Sequence, residues 1–289
     1  MRQPSREDGT PMPSFDTPEP IAATLEFDAG HAWITAGERT DTEVEVLPAD
    51  DANEADVRAA EQTRVTCDDG RLQIRATRKG SLFGKLGSVA VYVGLPTGSH
   101  VQGTASLADF TCEGRLGDCR LKTSIGDLDV EESASAQLRT GHGDIRLGRA
   151  AGDAAVTGAG RIRLGEVAGA ATVKNANGDT AIGEVTGELW TSASNGRISV
   201  GVASAGVSAK SSNGRIRVGE VARGTVTLHT AAGDVEVGVR ESTVAWLDVS
   251  ARTGHVRNSL GASEAPGASD ETVEVHARTG LGDILIHRA

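Results

Sequence analysis

Aromatic side chains are nearly missing from this chain: four Phe, three Trp and one Tyr among 289 residues. A thick globular core leans on aromatics, because each buries a large area. The apolar content here is Val, Ile, Leu and Ala, which suits a narrow, regularly layered core. Cysteine is scarce too. Cys67, Cys112 and Cys119 are odd in number and fit no C-x2-C metal pattern, so they read as reduced small hydrophobes, with a single disulfide left open. Positive charge is in deficit. A net charge of −11 argues against nucleic acid or an anionic membrane as partner, since both need a basic field. No run of about 18 apolar residues exists to span a membrane. The opening MRQPSREDGTPMPSFDTPEP has no apolar signal-peptide region. The expectation is a soluble, cytoplasmic protein with a disordered leader over 1–12 and Met12 as an alternative start.

Glycine is abundant, with 37 residues, and it is periodic. A glycine precedes a short apolar alternation at 126, 143, 160, 178, 196, 214, 233, 254 and 282, at intervals of 17, 17, 18, 18, 18, 19, 21 and 28. Two residues after these anchors stand Leu128, Ile145, Ile162, Thr180, Ile198, Ile216, Val235, Val256 and Ile284. Four residues after stand Val130, Leu147, Leu164, Ile182, Val200, Val218, Val237, Asn258 and Ile286. The residues between them are mostly polar. This is strand alternation, apolar inward and polar outward. A second glycine, at 148, 165, 183, 201, 219 and 238, would end that strand. A second alternation, with inward pairs such as Val207/Ala209 and Val226/Leu228, precedes the next anchor.

Asn-Gly is also a hairpin signal, and a meander is the competing reading. A meander has no reason to place like on like at a fixed interval. A β-solenoid does, because coils stack about 4.8 Å apart. Asn177, Asn195 and Asn213 would then form a ladder of amides. The expected fold is all-β: a β-solenoid with coils of about 17–19 residues, continuous as one domain, regular over 101–289 and irregular over 13–100. Ala108 replaces an anchor, ahead of Phe110 and Cys112, which face inward. Gly30 and Gly70 open earlier coils. Residues 50–63, DDANEADVRAAEQT, favour a short helix that caps the stack. SLGASEAPGASDE (259–271) is an inserted loop.

The phrases TGHGDIRLG, TGAGRIRLGEVAG, KNANGDTAIGEVTG, SNGRIRVGEVARG, TAAGDVEVG and RTGLGDILI resemble the bacterial β-strand-repeat family of unknown function labelled "putative adhesin". The likeness runs from about Pro13 to the end. It implies a right-handed β-solenoid and carries over no catalytic residues.

No set of residues assembles a recognisable catalytic or ligand-binding pattern. Asp127 and Asp144 fall on neighbouring coils, where two carboxylates could resemble a glycosidase pair; the better reading has them bonding local backbone on a solvated face. The Gly-Asp repeats lack the spacing of a calcium-binding roll. The histidines form no H-x3-H cluster, the serines no G-x-S-x-G elbow, and no phosphate loop is present. Trp33, Trp190 and Trp246 read as end-caps or groove-fillers. No catalytic, cofactor-binding or metal residue is assigned. The function expected is a non-enzymatic scaffold or binding module that meets an unknown protein or polymer along a flat solenoid face. The alternatives are self-assembly of identical chains through coil edges and a carbohydrate-active β-helix enzyme.

Overall fold

The computed structural model describes residues 14–76, 87–261 and 271–289. The expected leader, Met12 and most of the 259–271 insertion lie outside the described residues. All 23 strands among the described residues join one sheet. The first eight are β1 (Ser14–Asp16), β2 (Ala22–Gly37), β3 (Asp41–Pro48), β4 (Thr63–Asp68), β5 (Arg71–Ala76), β6 (Ser88–Pro96), β7 (His100–Ile125) and β8 (Leu128–His142). Short strands follow: β9 (Ile145–Ala150), β10 (Ala154–Gly158), β11 (Ile162–Val167), β12 (Ala171–Asn177), β13 (Thr180–Val185), β14 (Leu189–Asn195), β15 (Ile198–Ala203), β16 (Val207–Asn213), β17 (Ile216–Val221), β18 (Gly224–Ala232) and β19 (Val235–Val239). The last are β20 (Thr243–Thr253), β21 (Val256–Asn258), β22 (Glu271–Leu281) and β23 (Ile284–Arg288). Helix α1 (Glu54–Gln62) falls in the segment where a helix is expected.

The body is a β-solenoid with the register the repeat demands. Ile162 lies on Thr180, Thr180 on Ile198, Ile198 on Ile216 and Ile216 on Val235, all in parallel ladders. The opposite wall repeats this, with Val173 on Thr191 on Ala209 on Leu228. These inward side chains are buried, and each large aliphatic one stabilises the stack by about 1.5–3 kcal/mol. The anchor glycines hold positive φ, +124° at Gly196. A Cβ there would run into the Gly178 carbonyl oxygen of the coil below, so no other residue fits. The second glycine does not end the strand, contrary to expectation. β11 passes through Gly165 and its pairing resumes at Glu166 and Glu184. The strand only bends there, turning Val167, Val185, Ala203 and Val221 inward as a third wall.

One inward row is polar. Three residues before the anchors lie Thr140, Asn175, Thr230 and Thr279, all buried. Thr140 Oγ1 donates to the Gly126 carbonyl (2.9 Å), Thr230 Oγ1 to Gly214 (3.0 Å) and Thr279 Oγ1 to Gly233 (2.8 Å). Asn175 Nδ2 donates to both Gly160 and Gly178, at 3.0 Å each. These bonds tie the polar row to the carbonyls of the anchor glycines.

Both ends depart from sequential stacking. At the N-terminal end β2 is an interior coil, with β7 on one side and β5 and β6 on the other. Gly30 opens that coil as expected and stacks on Ala108. Gly70 does not open one. With Asp69 (φ +48°) it makes the β4–β5 hairpin turn, where consecutive positive φ values are required. Beyond β5 and β6 the partners are antiparallel: β4 on β5, β3 on β6 and β1 on β3. Helix α1 packs against β3 and β6. Its N-cap Asn53 accepts from the Ala55 N–H at 3.0 Å. Buried Asp56 accepts from the Ser88 N–H at 2.9 Å, tying the helix to β6.

At the C-terminal end the coils are permuted. The chain order of anchors is Gly233, Gly254, Gly282, but β22 stacks on β18 and β20 stacks on β22. The spatial order is therefore Gly233, Gly282, Gly254. The physical reason lies in the inward rows. Ile284 and Ile286 suit an interior coil and are fully buried. The other coil carries Asn258 where a core side chain belongs, and it is placed outermost, with Val256 42% exposed. An interior Asn there would cost more than an exposed one.

Candidate functional site

The Asn ladder forms. Asn195 Nδ2 donates to Asn177 Oδ1 at 2.8 Å, and Asn213 Nδ2 to Asn195 Oδ1 at 3.1 Å. It is exposed and every amide is bonded along the stack, which gives it a structural role.

The Asp residues after the anchors are occupied in the same way. Asp127 Oδ1 accepts the Asp144 N–H at 2.8 Å, and Asp144 Oδ1 accepts the Arg161 N–H at 2.7 Å. Asp179 and Asp283 repeat the bond to Arg197 and His255. Each carboxylate thus caps an amide on the neighbouring coil. Arg215 and Asp234 close the row with a 2.6 Å ion pair, and the guanidinium holds the Asp234 carboxyl below the usual carboxylate range. Nothing in this row leaves a carboxylate poised over a substrate-sized cleft.

Cys112 and Cys119 are buried, Cys112 in the row expected for it. A hydrogen bond between the two, reinforced by burial, pushes the Cys112 thiol up, so it is a poor nucleophile. None of the three tryptophans fills the core. Trp33 stacks between His31 and Tyr92 on the outer face, with ring centroids 3.6 and 4.7 Å away. Trp190 is 42% exposed and Trp246 65%. Among the described residues no three His, Cys, Asp or Glu side chains group as metal ligands, and no helix is long and apolar enough to cross a membrane.

Two outer surfaces remain. One is a shallow groove of about 600 Å³ along the glycine bend, with Arg146, Arg163 and Arg217 on its wall. Arg146 and Arg217 are paired to Asp129 (3.5 Å) and Glu236 (3.2 Å). The other is the flat outer face formed by the end of β7 with β8, β10, β12, β14, β16, β18 and β22. Its outward positions stack Lys122 on Arg139 on Thr157 on Lys174 on Ser192 on Lys210 on His229 on Arg278. The parallel row beside it runs from Arg120 through Gln137, Ala155, Thr172, Trp190 and Ser208 to Thr227. No carboxylate interrupts either row. Lys122, Lys174 and Lys210 are all the lysines among the described residues, so every one of them is on this face. Lys174 Nζ lies over the Trp190 ring, 5.5 Å from its centroid. Lys122, Arg139, Lys174 and Lys210 make no ion pair among the described residues. This face was not foreseen. The signal was present: Lys122, Arg139, Lys174, Lys210, His229 and Arg278 each stand four residues before an anchor glycine.

The comparisons with known proteins bear on the whole chain. The Toastrack DUF4097 family model matches residues 25–289. The chain belongs to that family. A structure described as a "putative adhesin" from Bacteroides fragilis NCTC 9343 is 11% identical, with 95% of each chain covered and a TM-score of 0.38. A "putative adhesin" from Parabacteroides merdae ATCC 43184 is 10% identical over 96% of this chain and 95% of that one, with a TM-score of 0.35. A "putative lipid binding protein" from Parabacteroides distasonis ATCC 8503 is 8% identical over 96% of both, with a TM-score of 0.26. No curated protein matches the chain.

Proposed function

We propose that this Toastrack chain is a non-enzymatic binding module that lays an extended, carboxylate-bearing polymer against its basic sheet face. The observation that carries the reading is the uncompensated stack of Lys122, Arg139, Lys174 and Lys210 in a chain of net charge −11. Lys122 and Arg139 are direct cross-strand neighbours. Like charges so placed cost about 0.2–1 kcal/mol, and no acidic side chain offsets that here. A bound polyanion would. The row from Lys122 to Arg278 covers seven coil steps, about 34 Å, long enough for a polymer and too flat for a small molecule. Trp190 adds an exposed aromatic ring suited to a sugar face.

Titration calorimetry with polygalacturonate and with neutral dextran tests this. The acidic polymer should bind, more weakly as salt rises, and the neutral one should not. Lys174→Glu with Lys210→Glu should weaken binding about tenfold, equivalent to about 1.4 kcal/mol. Equal binding of both polymers, indifference to the charge reversals, or tighter binding of single-stranded DNA would overturn the reading.

A further inference from the structure

The terminal coil, β20 with β21, has a neighbour on one side only. β20 pairs with β22 and β21 with β23, and their other edge meets no strand among the described residues. Leu247, Val249 and Ala251 occupy inward positions yet are only partly buried. Trp246 beside them is 65% exposed. β20 has no proline and no inward-pointing charge. Such an edge is a template for another strand.

The other end of the solenoid is not a fitting mate. Antiparallel β3, β4 and β1 cover it, and α1 packs there. A parallel coil stacked head to tail would meet antiparallel strands there instead of a matching parallel coil. The loop between β21 and β22 does not suit the edge either. Residues 262–270, ASEAPGASD, offer nothing apolar larger than Ala and Pro.

We propose that the open end is a homodimer interface in which β20 pairs antiparallel with β20 of a second copy. The twofold axis closes the assembly and stops growth. A register centred on Ser250 places outward Asp248, which already meets His276 and Arg278 of its own chain, opposite Arg252 of the second copy. It places Val249 opposite Ala251 of the second copy, which continues the apolar core across the junction. Because β20 belongs to the flat face, the two basic faces would join into one. The inference stands without the polymer reading.

Light scattering on the full chain over a range of concentrations should give about twice the 29.7 kDa of one chain. Val249→Lys should give the single-chain mass with an unchanged circular dichroism spectrum. Ser250→Cys should form a covalent dimer under mild oxidation, whereas the unsubstituted chain should not. A monomer at every concentration would overturn the proposal. So would a dimer that survives Val249→Lys, a dimer that Ser250→Cys fails to cross-link, or a mass that grows without limit.

Discussion

The two ends of the solenoid solve one problem differently. A stack of parallel coils must stop somewhere, and the last coil presents unpaired backbone groups and a half-covered core. At the N-terminal end, antiparallel strands lie over the last coil and α1 is fastened there through Asp56 and Ser88. At the C-terminal end no strand among the described residues lies over the last coil, and Trp246 and Val256 are exposed. In both places a coil is inserted out of chain order: β2 lies between β7 and β6, and β22 between β18 and β20. Only at one end do further described strands cover the resulting outer coil.

The largest expected effect tests the permuted order. Ile284 and Val256 are direct register partners on adjacent coils. Ile284→Asp buries an unpaired carboxylate and should cost at least about 3 kcal/mol or abolish folding. Val256→Asp should cost under about 1 kcal/mol, since the site is already wet. Urea melts of both in the Val249→Lys background decide it, and the opposite ranking would restore sequential stacking.

Next is the covered end. Asp56→Ala leaves the Ser88 N–H without its acceptor and should cost about 1–3 kcal/mol. It should also raise hydrogen exchange in β3 and β6 while leaving the body protected. Uniform loss of protection would show that the cap is not a separable element.

A smaller effect belongs to the body between the ends. Asn195→Leu removes two exposed amide bonds and should cost about 1 kcal/mol by thermal melting, more than Asn195→Asp. Equal, negligible shifts would mean that the ladder adds nothing.

The smallest concerns pH. Asp234 titrates below the ordinary carboxylate range because Arg215 bonds its charged form. That contribution is present above about pH 3.9, the unfolded value, and is lost as pH falls through the depressed folded value. Asp234 is 43% exposed, so the amount is at most a few tenths of a kcal/mol. Arg215→Ala should return the Asp234 carbon resonance titration toward the ordinary value; an unmoved titration would remove Arg215 as the cause.

Much of this was legible residue by residue. Ile198 and Ile216, Asn195 and Asn213, and Gly196 and Gly214 announce stacking at a constant interval, and they stack as read. The basic face was harder to see. Lys122, Lys174 and Lys210 are far apart in the chain, and they become one row through their shared offset from stacked anchor glycines. Asp127 and Asp144 show the reverse case: their proximity and their bonding to backbone were legible, and only the structure shows that the amides belong to the neighbouring coil.

The sequence by itself determined the period, the inward and outward rows, the glycine anchors and the cap helix, because each is a local pattern repeated at the spacing of one coil. Tertiary structure alone decided which coil comes last. Successive repeats are nearly interchangeable as neighbours, so their order is set by comparing whole coils for burial. Asn258 loses that comparison to Ile286, and the final segment of the chain takes the inner place.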